Sequence, residues 1–132
     1  MRMDKLTIKS REALAAATDD ATRQQHPAVT PAHLLATLLS QQDGVVPNLL
    51  DRVGANAREI AAELQQELAR APRATGDTQV YPDNALNKCL NEALQVADEL
   101  KDEYISTEHL LLAILDSKSS AGEILRVAGV TK

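Results

Sequence analysis

The feature that most constrains the fold is an internal repeat. Val29–Leu39 reads VTPAHLLATLL, and Ile105–Leu115 reads ISTEHLLLAIL, 76 residues further along the chain. After one deletion, the closing glycines Gly54 and Gly129 also correspond. Self-similarity at a fixed spacing is typical of a structural unit that has been used twice. The sequence therefore predicts two copies of one unit and not the two halves of a split active site.

Helix signals occur along the whole chain, whereas alternating runs typical of strands are almost absent. Capping residues and closing glycines mark the helix ends, with Pro31 at a first helical position. Expected helices cover about 7–24, 30–40, 46–53, 57–70 and 83–100, followed by two more after Ser106. The sequence predicts an all-α domain of seven helices, built as two pseudo-repeated four-helix units.

Residues 1–132 are expected to form one domain, in which a linker at 71–84 separates repeat one (1–70) from repeat two (85–132). The linker mixes Pro, Gly, Thr and Asp without periodicity. Repeat one ends with a fourth helix, Ala57–Arg70, but no such helix follows Gly129 in repeat two. We therefore expect that the last helix of the second repeat is missing and that the chain was cut from a longer protein.

Composition narrows the class of protein. A net charge of −5 argues against a nucleic-acid binder, which needs a basic surface. The N-terminus has no apolar signal-peptide region, and no apolar run is long enough to span a membrane. The one cysteine, Cys89, excludes an internal disulfide and is compatible with a reducing compartment. These observations predict a cytoplasmic protein that binds neither nucleic acid nor membrane.

The three histidines do not have the spacing of a metal site. His33 and His109 stand at the third position of matching helices, and His26 lies in a turn. A metal site needs three or four ligands, usually at short local spacings. We expect each of His33 and His109 to close a helix N-terminus and to pack against its neighbours, and we expect no metal.

No catalytic constellation is predicted either. Cys89 lies on the flank of a core-facing helix stripe, where a buried, inert thiol is the common case. Neither a GxxxxGK[ST] loop nor GxGxxG occurs, so this chain is not expected to bind a nucleotide or to be an enzyme. Acidic residues concentrate at Asp98, Glu99, Asp102, Glu103 and Glu108. They form either a solvated face or a surface that selects a basic or unfolded segment.

Three segments together resemble a known family. They are the opening MRMDKLT, the first-repeat TPAHLL…PNLLDRVG and the second-repeat YISTEHLLLAILDSKSSAGEILRVAG. They are similar to the N-terminal Clp repeat domain of ClpB-type AAA+ protein disaggregases, over essentially the whole chain. The resemblance implies a domain that engages unfolded or aggregated polypeptides beside a homohexameric ATPase ring, which works with the DnaK chaperone system. It implies no cofactor in this chain, ATP and Mg²⁺ in the parent protein, and a monomeric isolated domain.

The resemblance also implies site residues. Thr7, Asp102 and Glu108 match family positions linked to substrate engagement, and the family's apolar groove maps near Leu90 and Val96. Thr7 and Glu108 could equally act as helix-capping and dipole-stabilising residues. Leu90 lies on the predicted core stripe, so Val96 is the better candidate for an exposed position. A leucine of the family is replaced here by His109, which makes that edge more polar.

Two other functions remain open. The domain could dock adaptors for a ClpC- or ClpA-type unfoldase that feeds a protease. ClpC-type domains carry TEH in both repeats, whereas Ala32 replaces that glutamate in the first repeat here. A twofold phosphoarginine site is therefore not expected. The domain could also be a spacer without a binding role.

Overall fold

The computed structural model describes residues 3–73 and 80–131. Within these ranges the chain forms seven α-helices after a short 3-10 turn at Met3–Lys5. They are α1 (Ile8–Arg23), α2 (Pro31–Ser40), α3 (Val46–Arg52), α4 (Ala57–Arg70), α5 (Asn84–Glu99), α6 (Thr107–Asp116) and α7 (Ser120–Val127). The predicted all-α class and its seven helices are confirmed.

Local capping sets the helix ends. The Thr7 hydroxyl accepts the Ser10 amide at 3.1 Å, and the Asp83 carboxylate accepts the Leu86 amide at 2.7 Å. These bonds satisfy amide groups that the first helical turn leaves without a partner. Gly54 follows α3 with φ of 90° and Gly129 follows α7 with φ of 91°. Glycine adopts this left-handed conformation without steric cost, which explains why a glycine follows both α3 and its counterpart α7.

The two repeats are related by a pseudo-twofold arrangement. Helices α1 and α5 both have 16 residues, α2 and α6 both have 10, and each pair is offset by 76 residues. Even the turns agree, because Gln25 and Lys101 both have positive φ, at 60° and 59°. The duplication inferred from the sequence is therefore present in the backbone.

In each repeat, the residues before the first helix form a parallel backbone pairing with a segment of the other repeat. The two-residue strands β1 (Ala28–Val29) and β2 (Tyr81–Pro82) pair in parallel, and Leu6 forms a parallel bridge with Ile105. Shifting Leu6 by 76 positions gives Pro82, so the two pairings are pseudo-symmetric equivalents. They were not predicted, because two residues are too short to show strand periodicity.

Helices α2 and α6 occupy the centre of the core. Eight of the ten residues of α2 and seven of the ten of α6 are buried. Helix α1 packs on α2 through a face of small residues: Ser10, Ala13, Ala17 and Ala21. Helix α5 packs on α6 through larger ones: Leu86, Cys89, Leu90, Ala93 and Ala97.

The predicted linker lies only partly inside the described ranges. Positions 74–79 of the predicted 71–84 segment fall outside them, as does Lys132 at the end of repeat two. On either side, residues 71–73 are not helical and β2 precedes α5. None of the helices in the described part of the chain is long and apolar enough to cross a membrane.

Candidate functional site

A groove crosses the boundary between the two repeats. It lies between the N-terminus of α1, the loop from α2 to α3 and the N-terminus of α6, and its volume is about 380 Å³. We call it the α1–α6 groove; its lining residues are Thr7, Ile8, Lys9, Gln41, Asp43, Gly44, Val45, Ser106, Thr107 and Glu108. The groove exists because the Leu6–Ile105 bridge brings the start of α1 beside the start of α6.

Exposed aliphatic side chains form part of this lining. Ile8 is 67% exposed and Val45 is 49% exposed, and together they place apolar surface in the groove lining. Glu108 and Asp43 add two exposed carboxylates. The Lys9 ammonium donates to the Gln42 carbonyl at 2.9 Å, so the cation is held at the rim. The groove therefore combines apolar surface with an acidic edge.

Two predicted site residues, Thr7 and Glu108, meet in this groove. The Thr7 amide donates to the Ile105 carbonyl at 3.1 Å, and its hydroxyl caps α1. Its polar groups are thus engaged within the protein, and Thr7 builds the wall. Glu108 lies in the first turn of α6 and is exposed, with its carboxylate 3.3 Å from the Thr107 hydroxyl. Of the two, Glu108 is the side chain available to a ligand.

Asp102 lies in the loop before α6 and contacts a histidine. Its Oδ2 is 2.9 Å from Nε2 of His109, whose side chain is buried, while the Asp102 side chain is 50% exposed. The other ring nitrogen of His109, Nδ1, accepts the Ser106 amide at 2.8 Å. This confirms that His109 closes the N-terminus of α6.

The first repeat has the corresponding arrangement. His33 Nδ1 accepts the Thr30 amide at 2.9 Å, and His33 Nε2 lies 2.7 Å from Nδ1 of His26. Burial, with a smaller effect of His26, lowers the pKa of His33 to about 4. His33 is therefore neutral at pH 7 and closes α2 as predicted. The sequence did not predict that His26 contacts His33 or that Asp102 contacts His109. His26 and Asp102 occupy equivalent positions in the two repeats, but they are different residue types, so the repeat pattern did not reveal them.

The structure places the other two predicted residues outside the groove. Leu90 is 5% exposed and belongs to the core, as its stripe position indicated. Val96 is half-buried on α5. Neither is among the residues that line the α1–α6 groove. Their participation in binding stays a prediction, and for Leu90 it requires that a ligand displace part of the core packing.

A second groove is the pseudo-symmetric counterpart of the first. Its volume is about 460 Å³. Four residues of its lining stand 76 positions from residues that line the α1–α6 groove: Thr30 corresponds to Ser106, Pro31 to Thr107, Ala32 to Glu108, and Asp83 to Thr7. The buried Ala32 replaces the exposed Glu108. Glu67 and Asp83 also line the second groove, so the two grooves differ in where their carboxylates stand and not in having them.

Cys89 borders a third cavity, of about 480 Å³, between α5 and α6. The thiol is buried, and burial raises its pKa, so it is a poor nucleophile. Across the described residues, no group of three or more His, Cys, Asp or Glu side chains is arranged to hold a metal ion.

Among the groove residues that were not predicted as site residues, Ile8 and Val45 are the exposed aliphatic ones. A signal for Ile8 was present, because it does not fall on the α1 stripe of Ser10, Ala13 and Ala17 and so had no expected place in the core. Val45 precedes a short helix and carried no comparable signal.

Comparisons with known proteins identify relatives over almost the whole chain. The family described as the Clp repeat (R) N-terminal domain matches residues 5–128. The chaperone protein ClpB of Corynebacterium glutamicum is 41% identical over 128 residues, which cover 95% of this chain and 15% of that protein. For ClpB of Pseudomonas putida the identity is 38% over 135 residues, covering 100% of this chain and 16% of that protein.

Among solved structures, the Hsp104 N-terminal domain of Candida albicans has a TM-score of 0.84 at 23% identity. The match covers 96% of this chain and 83% of that one, and it shows a shared fold. The chain spans only 15–16% of the length of the two ClpB relatives.

Proposed function

Because the chain belongs to the Clp repeat (R) N-terminal domain family, we propose that it is the substrate-recognition domain of a ClpB-like, ATP-dependent protein disaggregase. It binds exposed apolar segments of unfolded or aggregated polypeptides and has no catalytic activity of its own. In this proposal the parent is a cytoplasmic homohexamer that uses ATP and Mg²⁺ and cooperates with the DnaK system. The isolated domain is a monomer.

The observation that carries this proposal is the exposure of Ile8 and Val45 in the α1–α6 groove. Unfolded chains display aliphatic side chains that a native protein buries, and such side chains can be partly buried against this surface. Full burial of one contributes about 1.5–3 kcal/mol. A groove with two such contacts gives weak binding once the loss of chain entropy is included. Weak binding suits a domain that must capture a polypeptide and then release it.

The acidic edge supports a preference among apolar segments. Glu108 and Asp43 are exposed in the lining, and the whole chain carries a net charge of −5. Complementary charge speeds encounter and disfavours acidic partners. We therefore propose that apolar segments flanked by lysine or arginine bind better than those flanked by aspartate.

The test is an NMR titration with two synthetic peptides that share a central Leu-Val-Leu segment, one flanked by lysines and one by aspartates. The lysine peptide is expected to shift the amide signals of Thr7, Ile8, Val45 and Glu108. Shifts at Val96 would extend the site along α5. No shift around the α1–α6 groove with either peptide would contradict the proposal.

A substitution pair tests the apolar contact. Ile8→Ser is expected to weaken peptide binding about tenfold, since it removes roughly 1.4 kcal/mol of apolar burial. The control is Val127→Ser, which removes a side chain that is 76% exposed on α7 and outside the groove lining. Equal losses in both variants would contradict the assignment of the groove. Tighter binding of free phosphoarginine or of a folded adaptor would favour the ClpC- or ClpA-type alternative.

A further inference from the structure

Asp102 is a predicted site residue whose side chain contacts another side chain of the same protein. It matches a family position linked to substrate engagement, yet its carboxylate contacts the protein's own His109. We propose that Asp102 positions the first turn of α6 through His109 and does not itself contact the bound polypeptide. This inference rests on the proposed function of the α1–α6 groove.

Hydrogen-bond geometry defines the protonation of His109. The Ser106 amide can only donate, so Nδ1 of His109, 2.8 Å away, must be an acceptor without a proton. In the neutral ring the proton is then on Nε2, which donates to Asp102 Oδ2 at 2.9 Å. Asp102 therefore selects the tautomer that allows His109 to close the helix.

The groove depends on this turn of α6. Thr107 and Glu108 stand between the capping residue Ser106 and His109, and all except His109 line the α1–α6 groove. Two hydrogen bonds hold this turn: the Ser106 amide donates to His109, and His109 donates to Asp102. These bonds therefore determine where the Glu108 carboxylate lies. Without an acceptor at position 102, His109 can place its proton on Nδ1, and the Ser106 amide then loses its partner.

The first repeat shows which property of Asp102 the fold requires. At the equivalent position, His26 accepts from Nε2 of His33 at 2.7 Å, and His33 closes α2 through Nδ1. The same geometry thus forms with a histidine acceptor in place of a carboxylate. The requirement at this position is a hydrogen-bond acceptor, not a negative charge, and this separates positioning from direct contact with a basic ligand.

Three substitutions at Asp102 use this difference, with the lysine-flanked peptide as probe at pH 7.5. Asp102→Asn and Asp102→His keep an acceptor without the charge, whereas Asp102→Ala removes both. We expect the asparagine and histidine variants to bind within about twofold of the wild type and the alanine variant to bind at least fivefold more weakly. Equal weakening by all three would overturn the proposal, because it would assign the effect to the charge.

A readout without peptide separates this inference from the proposed function. Nitrogen NMR of the His109 ring is expected to show a proton on Nε2 in the wild type and in the asparagine and histidine variants, but a mixture of tautomers in Asp102→Ala. An unchanged tautomer in the alanine variant would overturn the positioning role. If the wild type failed to bind any peptide, only the proposed function would fall, and the tautomers would still decide the role of Asp102.

Two controls complete the design. His26→Asp converts the first-repeat pair to the second-repeat type and is expected to leave peptide affinity unchanged, since it lies outside the α1–α6 groove. In a His109→Ala background, Asp102→Ala should cause no further loss of affinity. A full additional loss there would show that Asp102 acts independently of His109 and would overturn the proposal. Thermal unfolding of each variant confirms that it is folded.

Discussion

At the scale of single residues, the protein closes two equivalent helices with histidine. A capping box usually has Glu or Gln at the third helical position, where the side chain accepts the amide of the capping residue. Here His33 and His109 provide that acceptor through Nδ1. An imidazole can accept at Nδ1 only while that nitrogen is unprotonated, so both helix ends depend on the protonation of a buried ring.

This dependence predicts a loss of stability in acid. The pKa of His33 is about 4, below its ordinary 6.5, so between these values the unfolded state binds more protons than the folded state. The free energy of unfolding should therefore fall as the pH decreases from 6.5 to 4, with a contribution from His33 of at most about 1.4 kcal/mol per pH unit. Above pH 6.5 this contribution to stability is fully present.

The measurement is urea unfolding from pH 7 to pH 4.5 for the wild type and for His33→Asn. The side-chain carbonyl of asparagine can accept the Thr30 amide but does not titrate, and the remaining titrating residues are common to both proteins. The variant should lose less stability over this range than the wild type. Identical pH dependence in the two proteins would contradict the assignment.

At the scale of helices, α7 approaches the end of α6 closely at Gly122. Gly122 is buried, and a Cβ at this position would lie 2.6 Å from the carbonyl oxygens of Ile114 and Ser117. Arg126 stabilises the same junction, because its guanidinium donates to the carbonyls of Leu115 at 2.6 Å and Ser117 at 2.9 Å. The junction therefore leaves no room for a side chain at residue 122.

Gly122→Ala is expected to lower the free energy of unfolding by about 1–3 kcal/mol, although alanine has the higher helix propensity. The cost arises because backbone oxygens, unlike the end of a flexible side chain, cannot move aside. Chemical denaturation measures the change. As a control, Val127→Ala, at a side chain that is 76% exposed on the same helix, should change stability by less than about 0.5 kcal/mol. A Gly122→Ala protein as stable as that control would refute the close-approach argument.

At the scale of the whole molecule, the two repeats stabilise each other through backbone hydrogen bonds and core contacts. The Ile105 amide donates to the Lys5 carbonyl at 2.7 Å, and the Asp83 amide donates to the Val29 carbonyl at 2.9 Å. Each bond joins the beginning of one repeat to the middle of the other. Helices α2 and α6 also contact each other in the core. Neither repeat can therefore open without breaking its contacts with its partner.

Native-state hydrogen exchange tests this cooperation. The amides of Thr7, Asp83 and Ile105 are expected to exchange with one opening free energy, equal to that of global unfolding. The comparison amide is Ala71, which donates at 3.2 Å at the end of α4 and should exchange by local fraying. A much lower opening free energy at Asp83 than at Ile105 would show that one pairing opens separately and would contradict the model of mutual support.

Two residues of the α1–α6 groove lining could be named from the chain alone, and their part in binding stays a prediction. Thr7 and Glu108 were expected from the family resemblance, and both line the α1–α6 groove. Ile8 and Val45 could not be assigned to it, because exposure depends on what packs over a side chain and not on its type. The contact of Asp102 with His109 was also out of reach, since it depends on the path of the loop between α5 and α6.

By itself, the sequence determined the helices, their caps and the duplication. These features follow from interactions between residues at most a few positions apart, and such interactions leave a periodic pattern in the chain. Only the tertiary structure decided that the repeats pair reciprocally, that the starts of α1 and α6 enclose a groove, and that Ala32 is buried where its counterpart Glu108 is exposed. Those outcomes depend on contacts between residues far apart in the chain, and no local pattern records which distant segments meet.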